Sequence, residues 1–322
     1  MSAATNIEWA DSTFNPWEGC QKVGPGCDHC YAEARNARFG GGQASNWGPG
    51  APRRRTSASN WGLPLRWDAK RFMQCDKCGW RGECAAELIG CGACGCIDQL
   101  RDVRRRVFCA SLGDIFDNQV PFAWRVELFQ LIGRTSNIDW LLLTKRIGLA
   151  RQMLNEVVEE LSHGLNTWDE RPWPGVWIGA TVVNQEEADR DLPKLMQTPA
   201  SRRFLSMEPL LGLVDLGLDC PWVVSLDGRP LDWVIVGGES GPSARPMRAQ
   251  WAQSLRDQCA AAGVPFLFKQ WGEHLGEKQD GNFAHEPMEL NATDDPVRVG
   301  KKAAGRLLDG RTHDGFPEAH HA

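Results

Sequence analysis

Apolar residues recur along the chain in two rhythms. Short runs that are apolar on both faces stand at 107–111, 140–144, 176–181, 203–206, 233–237 and 265–269, and a further strand is expected near 7–14. Runs of this kind read as buried parallel strands. Between them, 124–133, 147–162, 185–197 and 248–262 carry a helical period, with Leu149, Met153, Val157 and Leu161 four apart on one stripe. Strand and helix in alternation imply right-handed βαβ units and a parallel sheet. About seven strands suit a full or partial (β/α) TIM-like barrel. The stretch 210–224 holds no good helix, and 36–66 reads as a loop rich in Gly, Ser and Asn. The expected organisation is a first strand, cysteine loop and following helix and loop over 1–66, a cysteine-rich metal-binding insertion over 67–100, the remainder of the barrel over 101–271, and a polar lid or tail over 272–322.

The chain has 322 residues, 42% hydrophobic and 24% charged, which fits a globular protein with a sizeable core. No run approaches the ~20 apolar residues of a membrane span. The first fifteen residues show no basic leader followed by an apolar stretch, so a reducing cytoplasm is the expected location. There, 12 cysteines need an explanation other than disulfides. The net charge of −5 argues against a chain that coats nucleic acid non-specifically, but not against local basic patches. Arg53, Arg54 and Arg55, with Arg101, Arg104, Arg105 and Arg106, flank the cysteine-rich insertion and form a candidate phosphate-binding lip. Each run taken alone reads as a solvated face. Trp47, Trp61 and Trp80 lie in expected loops, where an indole stacks on a base unless it packs into the core.

The cysteines fall into groups. Cys109, Cys220 and Cys259 are isolated and read as buried small hydrophobes. Cys75, Cys78, Cys91 and Cys94 form two CxxC knuckles separated by twelve residues, the spacing of a zinc ribbon. Gly79 and Gly95 follow the knuckles, where a tight turn favours positive φ. Such an insertion either staples a loop or touches nucleic acid. Cys84 and Cys96 add thiolates, which keeps an auxiliary iron–sulfur cluster open as the alternative to zinc. Cys20, Cys27 and Cys30 are spaced CX6CX2C with no fourth thiolate nearby. Three ligands leave one coordination position open, as reactive sites do. A helix is expected from Tyr31, so this group lies near a helix N-terminus, which favours an anionic cluster.

Polar residues gather directly after the strands: Asp114, Lys145 with Arg146, Asn184, Glu208, the run Gly237, Gly238, Glu239 and Ser240, and Lys269 with Gln270. In a parallel α/β sheet these positions share the face at the strands' C-terminal ends, where such enzymes work.

The segments FNPWEGC, PGCDHCYAE, SLGDIFD, LLTKR, IGATVVNQ, FLSMEPLL, DWVIVGGESG and PFLFKQWGE together resemble a phage-associated three-cysteine family related to the radical S-adenosylmethionine (SAM) enzymes. The likeness runs from Asn6 to Glu273 apart from the insertion, although CX6CX2C departs from the commonest CX3CX2C. It implies a barrel of the radical SAM type. It also implies a [4Fe–4S] cluster on Cys20, Cys27 and Cys30, whose fourth iron binds SAM. The resemblance sets His29 near adenine, Asp114 at the methionine amine, and Asn184 and Glu208 at the ribose and methionyl carboxylate. It sets Gly237 and Gly238 at SAM or substrate. Glu239, Lys145 and Lys269 are the candidate catalytic side chains. The implied partners are a reducing electron donor and modified DNA, with an isomerase acting on an amino-acid-modified thymine in phage DNA. Two other readings stay open. One is a metal-stapled nucleic-acid-binding protein without catalysis. The other is a zinc hydrolase or deaminase at Cys20, Cys27 and Cys30, which lacks the HxE element of zinc deaminases.

Overall fold

The computed structural model describes residues 5, 7–84, 90–218, 228, 230–275 and 296–317. Seven strands, β1 (Ser12–Phe14), β2 (Arg105–Cys109), β3 (Ile138–Thr144), β4 (Val176–Thr181), β5 (Arg202–Met207), β6 (Trp233–Gly237) and β7 (Phe266–Gln270), form one sheet. They lie side by side in chain order, and every neighbouring pair is parallel. The helices are α1 (Tyr31–Phe39), α2 (Phe122–Gly133), α3 (Ile147–Leu161), α4 (Gln185–Met196) and α5 (Ala249–Ala262). The apolar runs thus become strands and the four-residue stripes become helices, with ends shifted by a few residues.

The (β/α) TIM-like barrel is not what forms. The sheet is open, because β1 and β7 are edge strands with no hydrogen-bonded partner in common. The connections also depart from a plain strand–helix alternation. Between β1 and β2 the chain makes α1 and then the cysteine-rich insertion. Between β5 and β6 the described residues 208–218 hold no helix, and 219–224 lie outside the described residues. The loop expected over 36–66 is corrected as well, since Ala58–Trp61 and Leu63–Asp68 are short helices. Ser57 caps the first, its hydroxyl accepting from the Asn60 N–H.

Alternation along the strands divides the apolar residues between two layers. Val107, Leu142, Ile178, Leu205, Val234 and Phe268 face the helices and meet Leu128, Leu154, Leu192 and Leu255. Phe108, Leu141, Trp177, Phe204, Trp233 and Leu267 face the other way and surround Trp9. The Trp9 ring lies 4.6 Å from Phe108 on β2 and 6.4 Å from Trp233 on β6. Four strand steps span about 19 Å in a flat sheet, so one indole can touch both only if the sheet curls into a trough. Gly179 on β4 makes room for this layer: a Cβ there would sit 2.3 Å from the Phe204 ring.

The open edge at β7 is covered. Phe268 donates its N–H to the His313 carbonyl (2.9 Å), and Gly315 donates to the Phe266 carbonyl (3.0 Å). Phe316 then stacks on Trp233 with centroids 4.8 Å apart. The described part of 272–322 is therefore packed against the sheet rather than loose, and it shields an edge that would otherwise invite pairing with another chain. The insertion is a small antiparallel sheet with Phe72–Cys75 between Arg81–Glu83 and Leu100–Asp102. Cys109 and Cys259 are fully buried as expected, and burial pushes the Cys259 thiol up to about 12. Cys220 lies outside the described residues. No helix among the described residues is long and apolar enough to cross a membrane.

Candidate active site and metal centre

The trough opens at the strands' C-terminal ends into a cavity of about 520 Å³. Its wall includes Cys20, Cys27, His29, Cys30, Asp114, Lys145, Glu208, Gly238, Glu239 and Lys269. Of the residues expected at this site, Asn184 and Gly237 stay off the wall. Asn184 is the N-cap of α4, its Oδ1 accepting from the Glu187 N–H at 2.9 Å, so its role is structural. Gly237 leaves space for Glu208, which a Cβ there would meet at 3.3 Å.

The cysteine loop lies tight against the sheet. A Cβ on Gly26 would come within 2.8 Å of Val183, and one on Gly24 within 2.4 Å of the Glu187 carboxylate. Cys30 is the N-cap residue of α1 and enters it from extended backbone, so the third cysteine stands at that helix's N-terminus. Arg146 links the loop to the sheet. Its Nη1 donates to Cys20 Sγ (3.3 Å) and to Asp114 Oδ2 (3.2 Å), and its Nη2 to the Gln21 carbonyl (2.8 Å). Asp114 also accepts from the Phe116 N–H (2.9 Å), the Thr144 hydroxyl (2.7 Å) and the Lys145 N–H (3.1 Å). Four donors engage this carboxylate, so Asp114 positions Arg146 at the cavity wall. Burial pushes the Cys20 thiol up to about 11, Asp114 adds to the rise, and Arg146 opposes it.

On the far wall, Lys269 Nζ stands 2.8 Å from both carboxylate oxygens of Glu208, and Gln270 Nε2 donates to the same carboxylate at 3.2 Å. Glu239, expected to be catalytic, lines the cavity and is held in place by its neighbours. Its carboxylate accepts from Arg245 Nε (2.9 Å), Arg245 Nη2 (2.7 Å) and the Arg245 backbone N–H (2.7 Å), and lies 3.1 Å from His29 Nδ1. Burial works against the Glu239 charge, but Arg245 and His29 more than offset it and hold the carboxyl below its ordinary value. Arg245 reaches on to Asp28 Oδ2 (3.0 Å) and the Pro25 carbonyl (2.8 Å), tying the cysteine loop to the end of β6. Sequence reasoning missed Arg245, which sits in a stretch without periodicity or motif. Gly238 is required by the backbone, since a Cβ there would lie 1.8 Å from the Trp271 carbonyl oxygen. Trp9 lines the cavity and keeps a buried indole N–H without an acceptor.

The second cysteine group closes on itself. The Sγ atoms of Cys75, Cys91, Cys94 and Cys96 all lie within 4.8 Å of one another, with Cys75 and Cys91 buried, so this group can hold a metal ion. The two knuckles match: Gly79 donates to the Cys75 carbonyl (2.8 Å) and Gly95 to the Cys91 carbonyl (2.9 Å), both glycines at positive φ. Cys96 joins three of the four expected ligands in this group. Cys96 Sγ reaches Cys75 at 3.2 Å, while Cys78 is exposed and stands 3.6 Å from Cys91. The turn at Gly95 brings the chain back and carries Cys96 inward. No such close group among the described residues includes Cys20, Cys27 and Cys30; these three line the cavity at the strands' C-terminal ends instead.

The basic lip is mostly neutralised. Arg53 is fully buried, its Nε 2.7 Å from Asp117, whose side chain is also fully buried; Arg54 pairs with Glu18 and Arg55 with Glu127. Arg53→Met should destabilise the protein by about 3–5 kcal/mol in urea unfolding, because it strands the buried Asp117 charge; an unchanged midpoint would contradict this. Of the loop indoles, Trp61 packs on the core and Trp80 packs over Gly82 and Gly92 of the metal centre, leaving Trp47 on the cavity wall.

The family described as a protein of unknown function, DUF5131, matches residues 4–317. No curated protein and no solved structure matches. With nearly its whole length matched, the chain belongs to the DUF5131 family.

Proposed function

We propose that this chain is a radical SAM enzyme whose [4Fe–4S] cluster is held by Cys20, Cys27 and Cys30. The observation that carries this reading is the meeting of those three cysteines with Lys145, Glu208 and Lys269 around one cavity at the strands' C-terminal ends. When bound, the cluster supplies the electron that splits SAM into methionine and a 5′-deoxyadenosyl radical, which takes a hydrogen atom from the substrate. The chain's own residues do the rest. Arg146 places positive charge against Cys20, where an anionic cluster needs it. Lys269 and Glu208 present opposite charges 2.8 Å apart, a match for the carboxylate and ammonium of an amino-acid group on the substrate. The buried indole N–H of Trp9 offers a donor to a carbonyl or ring nitrogen. Trp9 and Phe108 give the cavity an apolar floor that keeps water from a radical.

The substrate we propose is an amino-acid-modified thymine in phage DNA, rearranged by removal and return of an α-hydrogen. The test is anaerobic reconstitution with iron and sulfide, then SAM and a reductant. A brown protein that releases 5′-deoxyadenosine is expected. Colourless protein without 5′-deoxyadenosine would remove the reading. Digestion of treated phage DNA to nucleosides then tests the substrate, and an unchanged profile beside active SAM cleavage would remove that part alone.

A further inference from the structure

A second cavity, of about 780 Å³, lies at the opposite mouth of the trough, between the strands' N-terminal ends and the cysteine-rich insertion. Six arginines line it; Arg71 and Arg101 are paired with Asp102 and Asp76, and the other four come from separate directions: Arg81 from the insertion, Arg104 from the turn before β2, Arg106 from β2 and Arg202 from β5. Three carboxylates answer them. Asp11 takes Arg81 with both oxygens at 2.9 Å, Asp139 stands 3.7 Å from Arg104, and Asp232 stands 3.6 Å from Arg202. Arg106 has no acceptor for its guanidinium among the described residues. Its own backbone N–H uses Asp11, and its guanidinium lies over the Phe316 ring, 4.2 Å from the centroid. Burial and the like charges of Arg81 and Arg202 pull Arg106 down to about 9, with Asp11 and Asp139 opposing. A guanidinium is held there near carboxylates but with no hydrogen-bonded acceptor among the described residues, on a protein whose net charge is −5.

We propose that this mouth is a phosphate-binding site centred on Arg106, with Arg104 and Arg202 closing around the same anion. The directions of approach favour phosphate over carboxylate. Arginines from an insertion strand, a turn and two sheet strands suit a tetrahedral oxyanion, whose oxygens point apart; one planar carboxylate would satisfy a single fork. Phe316 and Trp177 on the wall hold Arg106 and Arg202 by cation–π contact, so the forks are fixed before an anion arrives. The phosphate belongs either to a free phosphate compound or to a nucleic-acid backbone. This inference stands apart from the radical reading, because no residue of the upper cavity takes part in it.

The test uses the full chain and two probes at constant ionic strength: inorganic phosphate, and a labelled single-stranded oligonucleotide. Phosphate is expected to raise the melting temperature of the wild type by several degrees over chloride. In Arg106→Met the shift disappears while the phosphate-free melt is no lower, since a half-buried guanidinium without a hydrogen-bonded acceptor has been removed; Arg54→Met keeps the shift. Arg106→Lys, which keeps the charge without the fork, is expected to weaken phosphate about tenfold by isothermal titration, and provides the comparison should the methionine variant not fold. Oligonucleotide binding that is lost in the Arg106 variants and displaced by phosphate assigns the site to a nucleic-acid backbone. Phosphate binding without oligonucleotide binding assigns it to a small phosphate compound. Equal phosphate shifts in wild type and Arg106→Met, or no saturable phosphate binding by the wild type, would overturn the proposal.

Discussion

Cys27→Ala should remove the iron–sulfur absorption and reduce SAM cleavage to background. Cys27 ends the short turn Pro25–Cys27 and is 8% exposed on the cavity side. Alanine fits wherever that backbone goes, so the expected loss of stability is small, about 1 kcal/mol. The loss of function is large because a cluster needs every thiolate it has been assigned. The control is Cys109→Ala on β2. That cysteine is fully buried among the helix-facing residues, away from the cavity. It should cost stability and leave SAM cleavage intact. Equal 5′-deoxyadenosine production by wild type and Cys27→Ala would show that the ligand set is wrong, whatever the stabilities.

The second large effect belongs to the insertion. Cys91→Ala and Cys96→Ala should each weaken metal binding on the order of 100-fold or more, since each removes a thiolate from the closed four-sulfur group. Cys78→Ala should leave the metal in place. Limited proteolysis of the first two variants, or of chelator-treated wild type, should cut between residues 71 and 102. The main sheet has its own core and should continue to melt as one transition. Metal lost from Cys78→Ala and kept by Cys96→Ala would refute this assignment in favour of the two-knuckle ligand set.

Local pattern carried most of the sheet. Runs at 176–181 and 233–237 became strands with those same ends, because apolar continuity is a property of the segment itself. Closure was not legible. Whether β1 pairs with β7 depends on sheet curvature and on what fills the trough, and nothing near either strand encodes it. Trp9 illustrates the point: it reads as one apolar residue of the strand expected near 7–14, yet it precedes Ser12–Phe14 and packs at the centre of the inner layer. The cysteine knuckles were legible because a metal demands spacing. The approach of Cys96 to the group was not, since it turns on the path after Gly95. At the upper cavity the polar residues after each strand were found, but their roles were not. Asp114 and Glu239 look like free acids in sequence, and only the structure shows their contacts with Arg146 and Arg245.

The aromatic layer inside the trough has a consequence for traffic through the molecule. Trp9 and Phe108 belong to the upper cavity, Trp177 and Phe316 to the lower, and Trp233 touches Trp9, Trp177 and Phe316. The trough is thus a cup with a second cup beneath it rather than a pipe. A radical formed in the upper bowl, as proposed, would have these rings between it and the lower mouth.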